Sequence, residues 1–290
     1  MMTPCISTYS FQQLISKGEL TQIGSLAKAK ELGFSAVEIA SLNNGDKPVL
    51  EYAKELRDEA DRLGITIVNL VFGADFLNGT SDRGFDIEEE MAFARQMIDA
   101  ADVLGVKIIR HDALWSLGNC RTFEEALPTV AERIREISLY AKGKGIRTTV
   151  ENHGRICQDP ERMVELVRAV GCDNFGVLCD IGNFLCNDCE PARSVALVAP
   201  LTFFAHVKDF YFKSGNTLDA PGRGYFKTRS GNYLKGAIVG HGAVPVTQCL
   251  KTLKDYGYDG YVTIEFEGSE DCILGIQIGK ENLERYIANL

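Results

Sequence analysis

Near its C-terminal end the chain runs YVTIEFEG (261–268), an apolar, strand-like stretch that carries Glu265 and Glu267 on alternate positions. A carboxylate buried in such a run costs several kcal/mol unless a counter-charge meets it. Three more apolar runs finish the same way: RTTVEN (147–152) on Glu151, FGVLCDIGN (175–183) on Asp180, and FFAHVKD (203–209) on His206, with Lys208 two residues on. Two glutamates, an aspartate and a histidine form an oxygen-rich ligand set with one imidazole. Such a set suits one divalent ion, Mn²⁺ or Mg²⁺ first, with Co²⁺ or Zn²⁺ as alternatives. Taken singly, an acidic residue at a strand end is more often a helix cap or an ion-pair partner. Four ligand types at successive strand ends ask for one explanation, and a divalent cation gives it by neutralising carboxylates that otherwise repel one another. Glu267, further out and beside Gly268, is expected to support the site or cap a loop.

Residues so far apart in sequence meet only if a scaffold sets their strand ends side by side. The chain repeats one junction: a helix-like segment, a glycine, then a short β-branched run. It occurs in KAKELGFSAVEIA (28–40), DRLGITIVNLVF (61–72), DVLGVKIIR (102–110), AKGKGIRTTVEN (141–152), AVGCDNFGVLCD (169–180) and LKDYGYDGYVTIEFEG (253–268). Glycine just past a helix accepts the left-handed conformation that ends it. PCISTYSF at the start and LTFFAHVKDF (201–210) bring the strand candidates to eight. Between them lie helical periods, such as Val49, Tyr52, Ala53, Leu56, Ala60 and Leu63 within 48–63, and Ala126, Val130, Ile134 and Ile137 within 124–140.

Eight βα alternations predict an α/β fold, a (β/α)8 TIM barrel, with residues 1–290 as a single domain because no Pro/Ser-rich linker interrupts them. A doubly wound open sheet is the alternative. It is weakened because the first βα turn, STYSFQQL, lacks a glycine fingerprint for a dinucleotide. In a barrel, alternate strand residues point inward and active sites form at the C-terminal strand ends. Thr263, Glu265 and Glu267 then share the inward face, as do His206 and Lys208.

Composition narrows the partners. A 45% apolar and 24% charged chain is ordinary globular protein, and a net charge of −9 argues against a nucleic-acid binder that relies on a basic surface. No run of about 18 apolar residues predicts a membrane span, and no basic region followed by an apolar stretch predicts a signal peptide. Nine scattered cysteines, an odd count, are expected of reduced thiols in the cytoplasm. Cys186 and Cys189 (CNDC) have no second pair, so ordinary thiols are expected there.

The chain holds four histidines. His111 closes the fourth strand (KIIRH), His153 follows Glu151, and His241 lies in GHG before the seventh helix, so all four, with His206, map to the active-site face. His111, His153 and His241 are candidate substrate contacts, with capping as the competing role; Lys208 is a candidate oxyanion or substrate contact. Tyr9 and Trp115, after the first and fourth strands, suit stacking on a sugar face or simple packing. The long segment 210–244 holds Lys213, Arg223, Lys227, Arg229 and Lys235 against one acid, Asp219. It predicts a lid or anion site, or a solvated or dimer-contacting insertion.

VENHG, CDIGNF, HVKD and IEFEG, in that order, resemble the xylose-isomerase-like barrel superfamily, in its branch of sugar phosphate isomerases and epimerases. STYSF and GFSAVEIA share the likeness, which covers nearly the whole chain. The resemblance implies a divalent metal held by Glu151, Asp180, His206 and Glu265, with Glu151 and Glu265 as acid and base. The implied reaction is isomerisation or epimerisation of a keto-sugar, or a related polyhydroxy carbonyl compound, through a metal-stabilised enediolate. A dehydratase or lyase on a keto-sugar or keto-inositol, or a non-catalytic sugar-binding barrel, are the alternatives. Oligomerisation is common among such relatives, so a homo-oligomer is compatible. Two positions depart from the ketose 3-epimerase pattern: Asn183 stands where those enzymes carry a histidine after the metal-binding aspartate, and HVKDF lacks their arginine. Asn183 is therefore a further candidate substrate contact. Apurinic endonucleases of the superfamily use many histidines and a basic surface, which four histidines and a charge of −9 do not supply.

Overall fold

A computed structural model describes residues 2–80, 83–216 and 220–290. The strands are β1 (Thr3–Ser7), β2 (Ala36–Ala40), β3 (Thr66–Phe72), β4 (Ile108–His111), β5 (Arg147–Glu151), β6 (Phe175–Asp180), β7 (Thr202–Val207), β8 (Asp209–Lys213), β9 (Phe226–Lys227), β10 (Tyr233–Ala237) and β11 (Tyr261–Ile264). The helices are α1 (Gln12–Ile15), α2 (Gln22–Glu31), α3 (Val49–Leu63), α4 (Ile87–Leu104), α5 (Phe123–Lys142), α6 (Pro160–Val170), α7 (Pro191–Val198), α8 (Val246–Asp255) and α9 (Cys272–Ala288). Strands β1 to β7 and β11 close into one parallel eight-stranded barrel, with β11 hydrogen-bonded to β1. The open-sheet alternative is excluded. Among the described residues, no helix is long and apolar enough to cross a membrane.

The helix periods act as the sequence predicts: α3 buries Tyr52, Ala53, Leu56 and Ala60 against the strands. Gly105 ends α4 in the left-handed conformation (φ 75°). That positive φ is strained for a residue with a side chain, so the turn into β4 favours glycine.

Inside the barrel the side chains form layers. The lower layer is apolar: Cys5, Ala36, Val68, Ile108, Leu178 and Phe204 pack together. Two residues further along the same strands stand Glu38, Arg110, Asp180 and His206, all buried and all polar. A register shift between Val37 and Glu38 sets Asn69 opposite Glu38, and Asn69 Nδ2 donates to Glu38 Oε2 at 2.8 Å.

The basic segment forms a separate antiparallel sheet, β8-β10-β9. It is docked at both ends. Asp209 accepts backbone bonds from Gly240, Gly242 and Val244, while Asp188 accepts from Thr228 Oγ1, Ser230 N–H and Asn232 Nδ2 at 2.6–2.8 Å. Arg229 spans Asp159 at 2.6 and 2.7 Å. These bonds anchor the described part of the sheet, and its Phe210 and Phe226 line a cavity at the barrel mouth. Asp219 lies outside the described residues. All nine cysteines are free thiols.

Candidate metal centre

Glu151, Asp180, His206 and Glu265 converge. One ligand-type atom from each lies within 4.8 Å of all the others, and all four residues are buried. In Asp180, His206 and Glu265 one donor atom is held by the protein while another faces the common centre; in Glu151 both oxygens are held. Glu151 Oε2 takes Arg110 at 2.6 Å, while Oε1 faces His206 Nδ1 at 3.7 Å and accepts from Asn183 Nδ2 at 3.0 Å. Asp180 Oδ1 accepts the backbone N–H groups of Gly182 (2.8 Å) and Asn183 (3.1 Å). Its Oδ2 is buried without a hydrogen bond. His206 Nε2 meets Glu38 Oε2 at 2.7 Å, whereas Nδ1 is buried with no hydrogen-bond partner. Glu265 Oε2 takes Lys208 at 2.9 Å, and its Oε1 lies 3.6 Å from His206 Nδ1.

Local sequence explains the placement. Glycine at 182 lets the turn after β6 approach the end of β7, since a Cβ there would meet the Lys208 carbonyl at 2.5 Å. Asn152 braces the neighbouring strand end: its Nδ2 donates to the Asp180 carbonyl at 2.8 Å and its Oδ1 accepts the Asp180 N–H at 2.9 Å.

The electrostatics fit a cation. Five buried carboxylates (Glu38, Asp112, Glu151, Asp180, Glu265) face two permanent cations, Arg110 and Lys208, leaving excess negative charge around the ligand atoms. Burial, with Glu151 and Glu265 adding and Lys208 opposing, lifts the Asp180 carboxyl to about 6. Burial works against charge on His206, yet Glu38, Glu265 and Glu151 press its imidazole well above the ordinary range. A metal ion at Nδ1 would replace the proton that the ring otherwise holds there. The Glu38–His206 contact is the arrangement that orients metal-ligating histidines generally. An Oδ2 atom whose nearest charge is Lys208 Nζ at 3.6 Å, an Nδ1 atom without a hydrogen bond, crowded carboxylates and a braced imidazole all fit a divalent ion.

Glu151 and Glu265 are held as carboxylates. Burial pushes both upward, but Arg110 and His206 hold Glu151 well below the ordinary range, and Lys208 and His206 hold Glu265 below it. Burial likewise opposes charge on Lys208, yet Glu265, Glu267 and Asp180 keep its ammonium protonated well beyond the ordinary lysine range. Lys208 also reaches Glu267 Oε1 at 3.0 Å, so Glu267 supports the site.

A cavity of about 310 Å³ opens over these groups, lined among others by Tyr9, Arg110, Trp115, His153, Lys208 and Glu265. His153 stands in its wall, its Nδ1 on Asp112 Oδ1 at 2.9 Å and its ring edge-on to Trp115. Asn183 lies beneath Glu151 and faces an adjoining cavity. Two candidates lie elsewhere. His111 points to the helix side of β4, against Phe76 and Phe175, with Nδ1 on the Asp112 carbonyl at 2.9 Å. Strand alternation gives the inward place to its neighbour Arg110. His241 is exposed in the turn after β10 and does not line the cavity.

Glu38, Arg110 and Asp112 are site residues that sequence reasoning missed. The signal existed for two of them: Glu38 in AVEIA and Arg110 in KIIRH are charges inside apolar runs, the same anomaly that exposes Glu265. Asp112 lies beyond its strand and carries no such mark.

Comparison with known proteins agrees with the fold. The curated protein MJ1311 of Methanocaldococcus jannaschii, itself uncharacterized, is 26% identical over 275 residues, covering 90% of this chain and 84% of its own. The solved structure of the IOLI protein with a bound zinc atom superposes with a TM-score of 0.75 at 19% identity over 99% of each chain. The probable 3-DHS dehydratase AsbF from Bacillus anthracis gives 0.71 at 18% identity, covering 97% of this chain and 99% of its own. The D-allulose 3-epimerase from Methylomonas sp. gives 0.73 at 15% identity over 98% of each. The family model described as xylose isomerase-like TIM barrel matches residues 26–287, and the chain belongs to that family.

Proposed function

We propose that the protein is a divalent-metal-dependent enzyme that transfers a proton at the carbon beside the carbonyl of a polyhydroxylated substrate, as a sugar isomerase or epimerase. The observation that carries this reading is the buried ligand cluster of Glu151, Asp180, His206 and Glu265, with one ligand-type atom of each within 4.8 Å of the others. An ion held there supplies Lewis acidity, which makes a proton next to a carbonyl acidic enough for a carboxylate to remove. Glu265 is the base of choice. Its Oε1 carries no hydrogen bond among the described residues and lies 3.6 Å from His206 Nδ1, while Lys208 holds its other oxygen at 2.9 Å. Glu151, tied on Oε2 by Arg110 and on Oε1 by Asn183, serves first as a ligand and second as the opposing acid. His153 and Lys208 line the cavity where they can orient substrate hydroxyls.

That asymmetry also favours a second reading. Epimerisation needs two opposed proton carriers, whereas elimination of water needs one base and one acid for the leaving hydroxyl. With Glu151 clamped and a buried ammonium at Lys208 beside Glu265, a dehydratase on a keto-sugar or keto-inositol is the alternative. An epimerase and a probable dehydratase both occur among the structural relatives. The deciding experiment loads the protein with Mn²⁺ and incubates it with a panel of keto-sugars in deuterated water. Deuterium in an isomeric product supports the first reading, and loss of water supports the second. No exchange into any substrate, with no Mn²⁺ bound, would sink both.

A further inference from the structure

Beside the central cavity lies a second one of about 380 Å³, walled on one side by Phe210 and Phe226 of the docked sheet. The two cavities share Trp115, His153, Lys208 and Glu267, so they adjoin each other. Arg155 lines this second cavity and not the first; it is exposed, with its backbone in the left-handed region (φ 68°). That conformation is strained for a non-glycine residue and persists only where its surroundings over-determine it. Three contacts do so: Arg155 N–H donates to Gln158 Oε1 (3.0 Å), and its carbonyl accepts from Asn187 Nδ2 (2.9 Å) and Arg229 Nη2 (2.6 Å). Arg229 is itself fixed on Asp159. The guanidinium of Arg155 makes no ion pair or hydrogen bond among the described residues. Its counterparts in the site, Arg110 and Lys208, are each paired with carboxylates.

We propose that Arg155 is a specificity-determining residue, binding an anionic group, a carboxylate or phosphate, at the far end of a substrate whose carbonyl end sits over the Glu151–Glu265 cluster. This rests on the proposed function and names the substrate class for the same site: an acidic or phosphorylated keto-sugar. It also gives the docked sheet a task. Arg229 holds the strained carbonyl, so the basic segment contributes to anion recognition by aiming Arg155, while its own Arg229 is spent on Asp159. A guanidinium suits the purpose, since it offers paired donors to carboxylate or phosphate oxygens.

Trp115 is the only tryptophan in the chain, so its fluorescence reports occupancy of this space. The test titrates D-fructose, keto-gluconate and inorganic phosphate into the Mn²⁺-loaded wild type, Arg155→Ala and Arg155→Lys, with Mn²⁺ binding to each measured separately. In the wild type, keto-gluconate is expected to bind at least about tenfold more tightly than fructose, the scale of one charge-assisted hydrogen bond, and phosphate to compete with it. Arg155→Ala should erase that advantage and Arg155→Lys keep part of it, both binding Mn²⁺ as the wild type does. Equal affinity for the neutral and acidic sugars in the wild type, no response to any anion, or an advantage that survives Arg155→Ala overturns the proposal while leaving the metal centre standing. Failure of the wild type to bind Mn²⁺ removes the reading on which it rests, and the proposal with it.

Discussion

Four strands of the barrel carry the same contrast at a spacing of two residues. Ala36, Ile108, Leu178 and Phe204 belong to the apolar lower layer; Glu38, Arg110, Asp180 and His206 stand one inward step nearer the C-terminal ends. Both sets are buried, so burial alone does not separate structure from chemistry. The difference is what each group leaves unsatisfied. The lower layer has only apolar contacts to make, whereas the upper layer leaves Asp180 Oδ2 and His206 Nδ1 without hydrogen bonds in the interior. An orphaned polar atom at such depth is costly unless something is meant to meet it. The opposite end of the barrel has a cavity too, about 280 Å³ between Met2, Tyr258, Ile287 and Leu290, but no ligand cluster lines it among the described residues.

The strongest way to break the contrast is to remove an upper-layer ligand. His206→Ala should weaken Mn²⁺ binding by more than the roughly 10–100-fold that loss of an outer support costs, and should abolish proton exchange. Titration with Mn²⁺ against a chelating dye measures the first, and solvent deuterium entry the second. Stability should fall in the metal-free protein, because the substitution leaves Glu38, Glu151 and Glu265 buried without the imidazolium that they hold charged. A variant that binds Mn²⁺ as well as the wild type would place the ion elsewhere.

The matching cut one step below has the opposite effect on metal binding. Phe204→Ala empties a lower-layer position that is 2% exposed. It should cost about 3–5 kcal/mol in urea unfolding while the folded fraction keeps its Mn²⁺ affinity. Loss of affinity without loss of stability would mean that the two layers are not separable.

Much of this division was legible in the sequence, and the limits have physical causes. The glycine-punctuated helix–strand junctions are local signals, and each of them leads into a barrel strand. Glu151, Asp180, His206 and Glu265 were visible because charges inside apolar runs violate patterning that otherwise holds. Glu38 broke the same rule in AVEIA, but its role depends on a register shift against β3 and on β7 arriving across the barrel, which no local pattern encodes. In KIIRH the choice lay between two neighbours, and histidine drew attention as the usual ligand. Alternation with Ile108 inward would have selected Arg110. The wall formed by β8, β9 and β10 was illegible because its anchors, Asp188 and Asp159, lie in distant loops.

A milder cut sharpens the comparison from behind the ligands. Glu38→Gln keeps the shape but removes the charge that faces His206 Nε2 at 2.7 Å. Metal affinity should fall by about 10–100-fold, because the imidazole loses the partner that fixes its orientation and raises its basicity. The same dye titration reads the change. Affinity equal to the wild type would show that Asn69 and packing hold the ring without the carboxylate.

The smallest effect is expected where the sequence pointed and the geometry declines. His111 lies on the far side of β4 from the cavity, fully buried among aromatic rings, with Nε2 lacking any hydrogen bond. His111→Leu gives up the bond from Nδ1 to the Asp112 carbonyl but also removes that unsatisfied nitrogen, at similar volume. The two changes oppose each other, so stability should move by no more than about 1 kcal/mol. Mn²⁺ affinity and proton exchange should not change. His241→Ala, an exposed position outside the cavity, should be silent in both assays. A loss of turnover in His111→Leu at unchanged stability would mean that β4 presents both its faces to the chemistry, and the layer rule that separates Arg110 from its neighbour would fail at the strand where it was hardest to read.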